Sequence, residues 1–196
     1  MFALFKSKRK DIDAAKKLYE QITAQARQPV FYELYGVPDT VEGRFDLICL
    51  HVFLVMDRLF QEKRAGVKMA QLLFDVMFRD MDRSLREMGV GDLSLPKHVK
   101  RMMKGFNGRA TSYQDAMHDE NPYELVEVLL RNLYGSVENP PRDMAQIMAL
   151  YMHESAAWLE VQSWEELSCG NISFKEMDYY EGEGDDNRND LAGMVA

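Results

Sequence analysis

Cysteine is scarce in this chain. The two present, Cys49 and Cys169, stand far apart and match neither a CxxC pair nor any zinc-ligand spacing. That points to a reducing compartment and leaves Cys49, inside an apolar run, as a small buried hydrophobe. Long apolar runs are missing too. The longest, Leu47–Met56, is ten residues broken by His51, against about 20 needed to cross a bilayer. The opening MFALF is too short for a secretory signal, its basic residues follow rather than precede it, and Asp11 and Asp13 spoil a mitochondrial presequence pattern. No convincing stretch alternates with a period of two, which argues against strands. The glycine motifs GxxxxGK[ST], GxGxxG and GxSxG are absent. His153-Glu154 lacks the second zinc-protease histidine, Ala157 standing in its place. Asp185, Asn187 and Asn189 imitate the start of a calcium loop, but Asp190 and Ala196 occupy the positions of its glycine and glutamate. His51, His98, His118 and His153 form no sequence cluster. An enzyme is therefore unsupported, and neither a metal nor another cofactor is expected.

What is present is an ordinary globular composition, 46% hydrophobic and 29% charged over 196 residues, with the length of one domain. The net charge of −8 is unevenly placed. Seven of the 32 acidic residues but only one of the 24 basic ones lie from Glu176 onward, leaving 25 acidic against 23 basic before it. The reading is a flexible basic N-terminal segment over 1–10, a helical domain over 11–175 and a disordered acidic tail over 176–196, too poor in apolar residues to offset its ordering entropy.

Apolar spacing predicts helices over 11–27, 29–35, 41–64, 67–88, from Leu95 or Pro96 onward, 110–117, 121–135 and 140–169. Pro38 and an Asp39/Glu42 capping box would start the third, Asn121-Pro122 and Asn139-Pro140 the last two. Between Phe45 and Phe60 the third is apolar almost all round, the mark of a central buried helix. The fold class is all-α, a single compact bundle of six to eight helices.

The stretch Met81–Arg109 is the most informative. Gly89 and Gly91 stop one helix and Ser94-Leu95-Pro96 starts another, with Ser94 as cap. Val99, Met102, Met103 and Phe106 take one side of it, Lys97, Lys100, Arg101 and Lys104 the other, and no acidic residue occurs from Pro96 to Arg109. With Arg109 these cations read either as a solvated face or as a docking surface. Gly105-Phe106-Asn107-Gly108 reads as a turn between helices, or as a phosphate cradle. At the N-terminus, Phe2 and Phe5 (with Leu4) precede Lys6, Lys8 and Arg9 (with Lys10), either a frayed end or a contact with an anionic membrane surface. His51 is a satisfied core histidine or, with Asp57, part of a polar pocket. Met69, Met77, Met81, Met88, Met102 and Met103 fall at inward helical positions, as an adaptable core or an accommodating partner surface.

Three blocks go further. Tyr35-Gly36-Val37-Pro38-Asp39-Thr40 with Glu42-Gly43-Arg44-Phe45 and Leu50-His51, the run from Asp80 to Asp92, and Pro96-Lys97 with Phe106, Gly108, Arg109 and Tyr113 resemble the ubiquinol–cytochrome c chaperone family. The likeness covers about residues 30 to 165, departing at Asn107, where the family pattern has an aromatic. It implies a non-enzymatic assembly factor that holds newly made cytochrome b during biogenesis of the respiratory bc1 complex. The short N-terminus resembles the bacterial branch, acting in the cytoplasm at the inner membrane. Cytochrome b is thus the expected partner, with an anionic membrane surface or the ribosome as further contacts, a small partner protein unknown, and no DNA. The alternative is a general membrane-surface or ribosome-associated binding module without that client.

Overall fold

The structure, a computed structural model, describes residues 2–176, and side chains from Arg9 onward. Helix α3, Val41–Phe60, is the axis of the domain, and Leu47 to Val55 are buried without interruption. Thr40, in extended conformation, caps it, its Oγ1 accepting the Gly43 N–H at 3.0 Å. The expected Asp39/Glu42 box does not form, because Thr40 is the extended residue next to the first turn and Asp39 pairs instead with Arg44 at 2.5 Å.

Around α3 stand α1 (Phe2–Ala26), α4 (Lys63–Glu87), α5 (Leu95–Met117) and α7 (Arg142–Glu160), all packed against it. The shorter α2 (Pro29–Glu33), α6 (Glu124–Asn132) and α8 (Trp164–Ser168) complete eight helical elements, with no strand among the described residues. Helix α6 bridges α5 and α7, and α8 leans on α1.

Several boundaries differ from the sequence reading. Helix α1 begins at Phe2 rather than Asp11, since residues 2–10 hold no glycine or proline and are rich in helix formers. The expected side-chain contacts of Phe2, Phe5, Lys6 and Lys8 lie outside the described residues, as does the tail after Glu176. Helix α5 runs unbroken through Gly105 and Gly108, because the buried Phe106 between them anchors that turn to α4. At Asn121 the side chain accepts the Tyr123 N–H, making a local turn that delays α6 to Glu124. Pro141 disfavours helix at Pro140, so α7 begins at Arg142. The predicted last helix is split at Ser163, which forms a capping box with Glu166 and opens α8.

Gly89 stops α4 as expected, at φ +85°, with Val90 and Gly89 N–H groups returning to the Leu85 and Arg86 carbonyls. Met88, at that helix end, is 56% exposed rather than inward, whereas Met69, Met77 and Met81 are buried. Gly66 does not interrupt the chain; it lets α4 cross the end of α3, since a Cβ there would lie 1.7 Å from the Leu59 carbonyl oxygen. Gly66→Ala is expected to lose about 1–3 kcal/mol of stability in thermal or urea unfolding. Gly108→Ala, with open space at its Cβ, should gain roughly 0.5–1 kcal/mol.

Candidate functional site

The turn after Gly89 delivers the chain to α5 through Ser94, whose hydroxyl donates to the Gly91 carbonyl at 2.9 Å instead of capping the helix. Leu95 and Phe106 are buried, Phe106 lying 5.6 Å from the Phe74 ring, with Val99, Met102 and Met103 half-buried on the same side. Lys97, Lys100, Arg101 and Lys104 are all exposed on the opposite side, and none has a carboxylate partner among the described residues. Two cations near the end of α4 differ: Arg86 is held by Asp82 at 2.8 Å and Asp92 at 2.5 Å, and Arg83 by Asp80. Asp75 accepts a hydrogen bond from the Gln71 side chain instead of pairing with Arg79, four residues further on. Lys97, in the first turn, also stands at the positive end of the helix dipole, a placement that costs α5 stability.

Arg109 does not belong to that face. Its guanidinium donates to Asp46 on α3 at 2.7 Å, the two side chains being only 24% and 13% exposed. Burial pushes the Asp46 carboxyl up to about 6, and Arg109 pulls in the opposite direction. Because Gly105–Gly108 is continuous helix, its amides serve the helix ladder and cannot cradle a phosphate. Of the basic N-terminal segment, Arg9 and Lys10 are exposed on α1.

His51 is fully buried. Its Nδ1 lies 2.8 Å from the Leu47 carbonyl, which can only accept, so Nδ1 carries the proton and Nε2 accepts from the Tyr151 hydroxyl at 2.8 Å. Gln25 donates to the same hydroxyl at 3.1 Å. Phe31 and Phe174 close over the ring edge-on, at 5.3 and 5.2 Å. This is a satisfied core histidine; the polar pocket with Asp57 does not exist. Among the described residues no group of three or more His, Cys, Asp and Glu side chains could hold a metal, and no helix is long and apolar enough to cross a membrane.

Asp57 instead belongs to a groove between α3 and α5. Phe53, Met56, Asp57 and Phe60 form one wall, and Phe106, Ala110, Thr111, Gln114 and Asp115 the other, around a volume of about 250 Å³. Sequence reasoning missed it. The available signal was that a helix apolar on every side must leave one face over unless every neighbour covers it, and Phe60 at its end is 49% exposed. Asn107, the departure from the resemblance, is exposed one turn before Thr111, beside this groove.

Comparison with known proteins places these features. A family model described as "Ubiquinol-cytochrome C chaperone" matches residues 33–174. The ubiquinol-cytochrome-c reductase complex assembly factor 1 of Xenopus laevis is 25% identical over 154 residues, covering 79% of this chain and 76% of its own. The human protein of that name is 24% identical over 163 residues, covering 83% of this chain. The chain spans about half the length of the human and mouse relatives, 54% and 52%. Among solved structures, the crystal structure of the Cbp3 homolog from Brucella abortus is similar at 35% identity and a TM-score of 0.78, covering 89% of this chain and 96% of that one.

His51 lies in the matched segment, and its burial can be read out by pH. Burial drives its pKa from 6.5 down to about 4, so the unfolded chain takes the proton first as pH falls. The stability it contributes is complete above pH 6.5 and is lost as pH falls from there through about 4. Asp46, raised from 3.8 to about 6, acts oppositely over nearly the same range, contributing stability at low pH that is lost as pH rises through about 6. The stability gap between wild type and His51→Asn, from urea unfolding at each pH, should therefore narrow by up to about 3 kcal/mol between pH 7 and pH 4. A gap independent of pH would show that His51 is not held neutral.

Proposed function

This chain belongs to the ubiquinol-cytochrome C chaperone family, and from that premise we propose that it is a non-enzymatic assembly chaperone that binds newly made cytochrome b at the membrane surface during biogenesis of the bc1 complex. The observation that carries the surface contact is the row of four cations, Lys97, Lys100, Arg101 and Lys104, left without carboxylate partners on one face of α5. On a domain in which acidic residues otherwise outnumber basic ones, such a row suits an anionic counterpart: acidic client loops, lipid headgroups or ribosomal RNA. Arg9 and the basic residues before it would add to a membrane contact. In a bacterial cell this reading places the protein in the cytoplasm, peripheral at the inner membrane.

A second reading, a general membrane-surface or ribosome-associated module, is favoured by the same row, because unpaired surface charge attracts any polyanion. It requires binding without cytochrome b. Deleting the gene should lower assembled bc1 complex and its cytochrome b, and normal levels of both would defeat the chaperone reading. In the deletion background, the Lys97→Glu/Lys100→Glu/Lys104→Glu protein should recover less cytochrome b by co-purification. It should also bind anionic vesicles at least 100-fold more weakly, at about 1 kcal/mol per basic residue. All three positions are exposed, glutamate is a good helix former, and at position 97 it suits the helix dipole, so the variant should fold as well as wild type. Weakened vesicle binding with unimpaired bc1 assembly would favour the second reading.

A further inference from the structure

The groove between α3 and α5 has a composition that the basic face does not explain. Its floor is aromatic and aliphatic: Phe53 and Phe106 are buried, Met56 and Ala110 half-buried, and Phe60 stands exposed at the mouth. Two carboxylates line it, the half-buried Asp57 and the exposed Asp115, and no lysine or arginine does. Several carboxylates elsewhere in the domain are matched with cations: Asp46 with Arg109, Asp80 with Arg83, Asp82 and Asp92 with Arg86. Asp57 and Asp115 have no ion-pair partner among the described residues. Asp57 is met by the Gln114 side chain and, at longer range, by His118. Holding an ionised carboxylate against an apolar wall without a cation is costly, and an incoming cation offsets that cost.

A volume of about 250 Å³ accommodates one or two side chains and falls below the roughly 300–1,000 Å³ of small-molecule sites. The occupant its chemistry selects is a peptide segment with apolar side chains and a neighbouring lysine or arginine. Such segments are abundant in membrane proteins, whose cytoplasmic helix ends set basic residues directly beside apolar spans. Met56 lets the floor adapt to different apolar shapes.

We propose that this groove binds a helix end of the membrane-protein client, its apolar side chains on Phe53, Met56, Phe60 and Phe106 and its cation paired with Asp57 and Asp115. The proposal rests on the chaperone reading above and assigns it a client site on the C-terminal half of α5, beyond the basic row at its start, which repels the same segment.

The test places a photo-crosslinking residue at Thr111, on the groove wall, or at Lys100, in the basic row, of the full chain in cells. Position 111 is expected to yield the cytochrome b adduct, and Asp57→Asn/Asp115→Asn to reduce it. In solution, a labelled synthetic peptide carrying a cytochrome b helix end with its lysines or arginines should bind the purified chain roughly tenfold or more weakly when both carboxylates are amides. The same peptide with glutamine at those positions should be indifferent to the change. Equal binding of the basic peptide by wild type and double variant overturns the groove site, as does a cytochrome b adduct at Lys100 but not at Thr111; in that second case the chaperone reading stands. No adduct at either position, together with normal bc1 complex in the deletion strain, removes both. Phe60→Ala, at an exposed position, serves as a second variant that should weaken both peptides.

Discussion

The domain depends on the burial of one helix along the middle of its length. Because α3 is apolar on nearly every side, each of its faces must be covered, and α1, α4, α5 and α7 are positioned by that demand. Three polar residues on α3 then fix where the covering helices stop sliding. Asp46 near its start reaches Arg109 on α5. His51 in its middle accepts from Tyr151 on α7. Arg58 near its end donates to the Leu159 and Gln162 carbonyls at 3.0 and 2.8 Å, satisfying the orphan end of α7, and pairs with Glu62. Buried polar groups tolerate few alternative partners, so each bracket selects one register out of the several that apolar packing alone would permit.

The brackets bear on how the family resemblance is understood. Tyr35 and His51 are core, Thr40 is a cap, Gly89 is a helix stop, Arg109 is half of a partly buried pair, and Tyr113 is fully buried against Phe53. The blocks that identify the family are largely the devices that build the bundle. The surfaces proposed to meet a client are written in less distinctive letters: the exposed cations of α5, and a groove of phenylalanines with two aspartates, residues common on any helix.

Much of the fold was legible because it follows from short-range physics. The period of the apolar residues located every long helix, the all-round apolar run marked α3 as central, and Gly89 marked a stop. What failed were positions where side chains or packing outvote local preference. Gly105 and Gly108 read as a turn because glycine disfavours helix by about 1 kcal/mol, yet the buried Phe106 between them holds the helix together. The sites divide in the same way. The exposure of Lys97, Lys100, Arg101 and Lys104 follows from helical spacing, so the row could be foreseen. The removal of Arg109 depends on Asp46, 63 positions earlier in the chain, and no local pattern announces it. The groove is likewise the product of two helices, and periodicity within either one is blind to it.

The order of charges along α5 has a mechanical consequence. Its cations occupy the first three turns, while Asp115 lies near its end and Asp119 and Glu120 follow just beyond. Near an anionic surface such an arrangement is a lever: one end is drawn in, the other pushed off, and the molecule turns until α5 stands on its N-terminal end. From Lys100 to Asp115 the helix rises about 22 Å, between two and three Debye lengths at physiological salt. A segment paired with Asp115 would then sit beyond the reach of the headgroups, in a place where the membrane no longer competes for its positive charge.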